Sequence, residues 1–261
     1  MWIHSINPIL IHLGPLQIRW YGITYVIGFL FAAWIIHKYR SHLNMSKDDV
    51  WDLMLYVVLG VLIGSRIFEV FWEPRYYLTN PLNFFKIWQG GMSFHGGFVG
   101  IITGVWLYAR KTKRSFAQLA DVLAMPSMFA LAFGRIANFI NGELWGTIAD
   151  QTKIWWCVNF KNTGGGDLCR HPQQLYAAAY RFVITGWLWF LLSKNKFKDG
   201  FLFWNFVLLE GIGRFIVDFW REDTFWGPFT IGQWFSAAMI LVATIMMIKL
   251  YRKEWKKIFS E

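Results

Sequence analysis

Seven apolar runs of about 20 residues recur along this 261-residue chain, at 19–37, 51–72, 93–109, 117–136, 175–192, 200–219 and 231–250. A run of that length crosses the hydrocarbon core of a bilayer as a helix, because every backbone N–H and C=O there must find its partner within the chain. The pattern predicts an all-α polytopic membrane protein, with 1–261 forming a single transmembrane domain. At 56% hydrophobic and 16% charged residues the composition argues against a soluble globular domain. The net charge of +10 does not point to nucleic acid, since the lysines and arginines punctuate apolar runs instead of gathering on a polar surface. Residues 1–15 carry no Lys or Arg and no small-residue cleavage site, so a removable signal peptide is not expected.

The basic residues also orient the chain. Four connections, on alternate sides of successive spans, hold 15 of the 26 Lys and Arg: Lys38 to Lys47, Arg110 to Arg114, Lys194 to Lys198, and Lys249 to Lys257. The opposite connections hold six. By the positive-inside rule the C-terminus is cytoplasmic and, with seven spans, the N-terminus lies outside. The longest connection, about 142–172, falls on the outer side and is too long for a turn, so a small outer-face lobe is expected there. Ile154 to Phe160 reads as a strand within it, and Gly164-Gly165-Gly166 as a joint. Cys157 and Cys169 lie in this lobe with no metal-ligand spacing around them, so a zinc site is not expected. They either form one local disulfide or remain two thiols.

Five arginines, Arg19, Arg66, Arg135, Arg181 and Arg214, fall inside or at the edges of spans, and no lysine does. A cation in hydrocarbon costs a few kcal/mol, so such residues pair, line a wet cavity or bind an anion. In the sixth span Glu210, Arg214, Asp218 and Arg221 share one helical face. That face is either a neutralised stripe or a site at which Arg214 keeps capacity for a phosphate. Arg66 and Glu69 repeat the spacing in the second span, where a structural pair is the favoured reading.

The third span opens Gly90-Gly91-Met92-Ser93-Phe94-His95-Gly96-Gly97, where glycine admits close approach of a backbone or a lipid. His95 is either a proton acceptor or a packed polar residue. Ser93 lacks the strand-to-helix turn of a hydrolase nucleophile. The densest polar cluster runs Gly134-Arg135-Ile136-Ala137-Asn138-Phe139-Ile140-Asn141-Gly142-Glu143-Leu144-Trp145-Gly146, with more polar groups than a helix end needs for capping. A transporter of anionic solutes remains a rival, although the related halves and broken midplane helices of such proteins are not evident. A non-catalytic lipid-binding subunit is the other.

Residues Gly134 to Gly146, together with Gly91 to Gly97, resemble the prolipoprotein diacylglyceryl transferases of bacterial inner membranes, and Gly134 to Gly146 satisfy every fixed place in that family's signature. Further likeness runs through Trp20-Tyr21-Gly22, Gly64 to Arg66, Arg170-His171-Pro172-Gln173 to Tyr176, and Arg214 to Arg221. Asp218 stands where the family carries Glu, and the two cysteines have no counterpart in the likeness. The resemblance implies transfer of the diacylglyceryl group of phosphatidylglycerol to the lipobox cysteine thiol of a prolipoprotein. Glycerol phosphate would be released, and neither a metal nor an organic cofactor would take part. It implies catalytic roles for His95, Arg135, Arg214 and Tyr21, and substrate-binding roles for Arg135, Asn138, Asn141, Glu143, Gly146, Arg66 and Arg221. His95 would take the thiol proton or hydrogen-bond the lipid, and Glu143 would also be able to hold an arginine. The implied location is the inner membrane, with the site toward the periplasm.

Overall fold

A computed structural model describes residues 2–14, 16–86, 91–194 and 196–258. Gly90, the first residue of the glycine-rich segment, lies outside them. Nine α-helices occur among the described residues: α1 Trp20–Tyr39, α2 Lys47–Trp72, α3 Pro74–Thr79, α4 Phe94–Thr112, α5 Phe116–Asn141, α6 Gln173–Lys194, α7 Phe201–Val217, α8 Ile231–Leu250 and α9 Arg252–Lys257. Helices of 17 residues or more occupy all seven expected places. Five of them, α1, α2, α5, α6 and α8, are long and apolar enough to cross a membrane, which makes this an all-α membrane protein. The 17 residues of α7 rise about 25 Å, and a 3-10 turn, Asp218–Trp220, extends it.

The chain divides into two compact units, Met1–Phe31 with Asp121–Glu261, and Ala32–Ala120. In the second unit α2 and α4 meet through glycines. A Cβ added to Gly64 would lie 2.3 Å from the Gly96 carbonyl oxygen, and one on Gly100 would lie 1.9 Å from that of Gly60. Backbones this close leave room only for glycine, so the glycine pairs of the third span admit a neighbouring helix at Gly96. Ser46 and Asp49 form a capping box at the start of α2. Arg114 reaches back to the same corner, 3.1 Å from Asp49 and 2.6 Å from the Leu43 carbonyl, so part of that basic stretch is locally neutralised.

The first unit contains the lobe and every strand found among the described residues. β1 Trp2–Ile3 pairs parallel with β4 Val158–Asn159, which pairs antiparallel with β5 Cys169–Arg170. The expected strand at 154–160 is thus shorter, and its partner comes from the start of the chain. A hairpin of β2 Ile9–Leu13 and β3 Leu16–Arg19 precedes α1. Arg19 therefore ends a strand, exposed, and is not part of the first helix as expected. A second small hairpin, β6 Phe225–Trp226 with β7 Phe229–Thr230, leads into α8. Cys157 and Cys169 are disulfide-bonded, with Cα atoms 5.5 Å apart, and pack with Ala149 and Ile154 in a small core.

Candidate functional site

Helix α5 stops where Gly142 adopts φ +67°, a left-handed conformation that glycine enters without strain. The chain then folds back on the last turn. The Glu143 amide donates to the Asn138 carbonyl at 3.1 Å. The Asn138 and Asn141 side-chain amides donate to Glu143 Oε1 at 2.7 and 3.3 Å, and Gln174 donates to the Glu143 carbonyl at 2.7 Å. The cluster is therefore a knot organised around one carboxylate. No ion pair joins Glu143 to an arginine among the described residues; the two asparagines take that place.

One turn earlier on α5, Arg135 makes no hydrogen bond or ion pair with any described residue. It lies within electrostatic reach of Arg181, Arg214 and Arg221, and each of these has a carboxylate beside it. Arg181 forms an ion pair with Glu210, its Nε donating to Oε2 at 3.0 Å, and Tyr180 donates to the same oxygen at 3.2 Å. Arg214 Nε lies 3.7 Å from Asp218 Oδ2, and Arg221 Nε lies 3.4 Å from Asp223. The four-membered ladder expected along α7 is thus divided. Spacing alone put Glu210 with Arg214, whereas Glu210 turns to α6. Arg221 follows the helix and pairs beyond it.

The Arg214–Asp218 contact is too long for a hydrogen bond, and Arg214 Nε and Asp218 Oδ2 are both buried without one. Gly232 of α8 explains the fit here: a Cβ on it would come within 2.4 Å of Asp218 Oδ2. Gly146 is equally confined. Its amide donates to the His171 carbonyl at 3.0 Å, its carbonyl accepts from Arg170 at 3.1 Å, and it bridges to Arg221. A Cβ would lie 2.5 Å from both His171 and Trp220 oxygens. Its backbone groups are engaged in holding the segment that carries Arg221.

Tyr21, at the start of α1, has its ring centroid 5.4 Å from that of Tyr25, the two planes tilted by 54°. In the other unit His95, the second residue of α4, is exposed, and Ser93 caps that helix. Arg66 is buried and donates to the Tyr77 hydroxyl at 2.7 Å and the Gly91 carbonyl at 2.9 Å, and also to the Lys86 carbonyl. The expected Arg66–Glu69 pair does not form; Arg66 closes a loop instead. Its Nε is buried with no partner among the described residues, and Arg66 lines a cavity of about 240 Å³ together with Glu69 and Glu73.

Two groups in the first unit received no role from the sequence: Arg170, which entered only through the family likeness, and Asp121. Arg170 joins Gly165, Gly146 and Glu222, so that the lobe grips the segment after α7. Asp121 on α5 accepts from the Gly200 and Phe203 amides, both at 2.7 Å, capping α7 from a neighbouring helix. A lone carboxylate within the fourth apolar run was the available signal for it. Outside the spans, burial lowers the His171 pKa, and burial lowers that of His4 against the opposing effect of its bond to the Phe139 carbonyl.

Fold and site together define an α-helical membrane protein in which Arg135, in a membrane-capable helix, has no partner among the described residues and stands beside a carboxamide–carboxylate knot. Such a group is suited to an anion. The prolipoprotein diacylglyceryl transferase family matches residues 8–249. The phosphatidylglycerol–prolipoprotein diacylglyceryl transferase of Cupriavidus metallidurans is 38% identical over 265 residues, covering 97% of each chain. That of Geobacter sulfurreducens is 37% identical, covering 95% of this chain and 97% of its own, and that of Idiomarina loihiensis is 41% identical over 94% and 93%. The chain belongs to the prolipoprotein diacylglyceryl transferase family.

Proposed function

We propose that this chain transfers the diacylglyceryl group of phosphatidylglycerol to the lipobox cysteine thiol of prolipoproteins, the first step of lipoprotein maturation. The observation that carries the reading is Arg135, held in α5 without a partner among the described residues. In the reaction the cysteine sulfur attacks the glycerol carbon as its C–O bond to phosphate breaks, and the electron pair leaves on glycerol phosphate. Arg135 and Arg214 take the phosphate, where negative charge grows as the bond breaks. A thiol with a pKa near 8.5 is mostly protonated at neutral pH, and His95 is assigned its proton. Tyr21 donates a hydrogen bond.

Asn138, Asn141 and Glu143 orient the glycerol head group. Their mutual bonds support this role by fixing the knot before substrate arrives. Gly146, Arg66 and Arg221 belong to the same reading, the glycine by positioning Arg221 and Arg66 by holding its loop. In this reading all seven long helices span a bacterial inner membrane, with the N-terminus and the 142–172 lobe outside and the C-terminus in the cytoplasm. The disulfide supports an oxidising side for the lobe. The site then opens toward the periplasm, and phosphatidylglycerol and the prolipoprotein signal peptide both reach it from the bilayer.

The test is incubation of the purified protein with phosphatidylglycerol and a lipobox peptide, following peptide mass and glycerol phosphate release together. A diacylglyceryl adduct formed in equal amount with glycerol phosphate is expected. Lipid binding without adduct, beside a relative active in the same assay, would return the reading to transport or lipid binding.

A further inference from the structure

The basic end of α7 and α8 carries a second feature with no part in this chemistry. Leu208 on α7, Thr244, Met247 and Ile248 on α8, and Arg252 and Trp255 on α9 line a groove of about 440 Å³. Its wall is apolar until it reaches Arg252. Helix α8 is membrane-capable, so such a groove faces lipid, and an acyl chain is the material that fills it.

The charge at its mouth selects among lipids. Arg252 is exposed and makes no hydrogen bond or ion pair with any described residue, and Lys249, Lys253 and Lys256 lie exposed around it. Glu254 is the sole carboxylate within 249–258, and it is buried and already engaged. It accepts from Lys257 Nζ at 2.8 and 2.9 Å and from the Lys198 amide at 3.2 Å, so it does not neutralise Arg252. Trp255, 40% exposed, stands beside Arg252 as aromatic residues do at the hydrocarbon boundary.

We infer that this groove holds an acyl chain of an anionic phospholipid whose phosphate is met by Arg252. The site is separate from the Arg135 knot. Gly232, against Asp218, and Arg252 are twenty residues apart along α8 and its end, about 30 Å at helical rise, so the two anion sites belong to opposite leaflets. The inference needs only that α8 spans the bilayer and does not rest on the transferase reading.

Native mass spectrometry of the delipidated full chain tests it, with phosphatidylglycerol, phosphatidylcholine of the same acyl chains, and glycerol phosphate as probes. Phosphatidylglycerol is expected to be retained roughly tenfold better than phosphatidylcholine. Arg252→Ala loses one bound phosphatidylglycerol while the one at Arg135 remains, and Ile248→Trp, which fills the groove rim, likewise loses the lipid of this groove. Both variants keep the lipid-free melting temperature and the transfer rate. Equal retention of the two lipids, unchanged retention by Arg252→Ala, or binding of glycerol phosphate alone at this site would overturn the inference. Arg135→Ala should lose a different lipid molecule. Loss in Arg252→Ala but not in Arg135→Ala leaves this inference standing and removes the lipid role of Arg135, and the reverse result overturns it.

Discussion

Arg181 and Arg135 lie on α6 and α5 of the same unit, each in a helix able to cross a membrane, and their surroundings differ. Arg181 is almost fully buried, forked onto Glu210 and backed by the Ala177 carbonyl. Arg135 has no such acceptor among the described residues and is surrounded by guanidinium groups whose carboxylates are already taken. A pair neutralised within the protein holds helices together. A cation left without a carboxylate in a membrane-capable helix is an incomplete arrangement, and an anion is the kind of group that would complete it. The two arginines thus differ in what faces them: a carboxylate for Arg181, and none for Arg135 among the described residues.

Removing either arginine's environment should separate the two roles. The largest expected effect is on stability: Glu210→Ala strands the buried Arg181 charge and should cost about 3–5 kcal/mol, read as lost folded protein in detergent melting. A melting point within a degree or two of the unmodified chain would mean that Arg181 is also a binding group. Arg135→Ala should do the opposite, lowering the rate of glycerol phosphate release by about 10²–10³-fold while the protein melts unchanged. A large loss of stability there would make it structural.

Asp121→Ala should fall between these. It frees two backbone amides at the start of α7, costs about 1–3 kcal/mol in melting, and reduces transfer only in proportion to lost fold. Asp121→Asn, which keeps an acceptor, should recover part of this.

The smallest effect is on pH. His4 Nε2 donates to the Phe139 carbonyl at 2.8 Å, leaving Nδ1 buried without a partner, and His171 is also held below its ordinary pKa. The folded chain therefore binds fewer protons than the unfolded chain just below pH 6.5. The stability these neutral rings contribute is complete above about 6.5 and falls as pH drops through their lowered values. Hydrogen-exchange protection in the lobe, taken relative to the intrinsic exchange rate at each pH, should fall from pH 7 to pH 5, and His4→Gln should flatten that dependence. A dependence of the opposite sign would mean the rings are charged in the fold.

The helices were legible because apolar runs and basic punctuation are local signals, and helices begin or end within a few residues of most expected boundaries. The contacts that distinguish the arginines are not local. Glu210 stands four residues from Arg214, yet its partner is 29 positions away on α6. Arg19 looked like the first residue of a span because the long apolar run begins directly after it and nothing local marks the strand that ends on it. Trp2 and Ile3 pair with Val158 and Asn159, a parallel contact that no spacing along the chain announces. The Arg135 to Gly146 cluster was legible as a group, but the convergence of two asparagines on Glu143 required the left-handed turn at Gly142.

The most direct test is a phosphorus–nitrogen dipolar measurement by solid-state NMR, on arginine-labelled protein in bilayers containing phosphatidylglycerol. A lipid phosphorus within about 4 Å of the Arg135 guanidinium, absent in Arg135→Ala and retained in Arg252→Ala, is the predicted result. Bound lipid with its phosphorus remote from Arg135 would contradict the account.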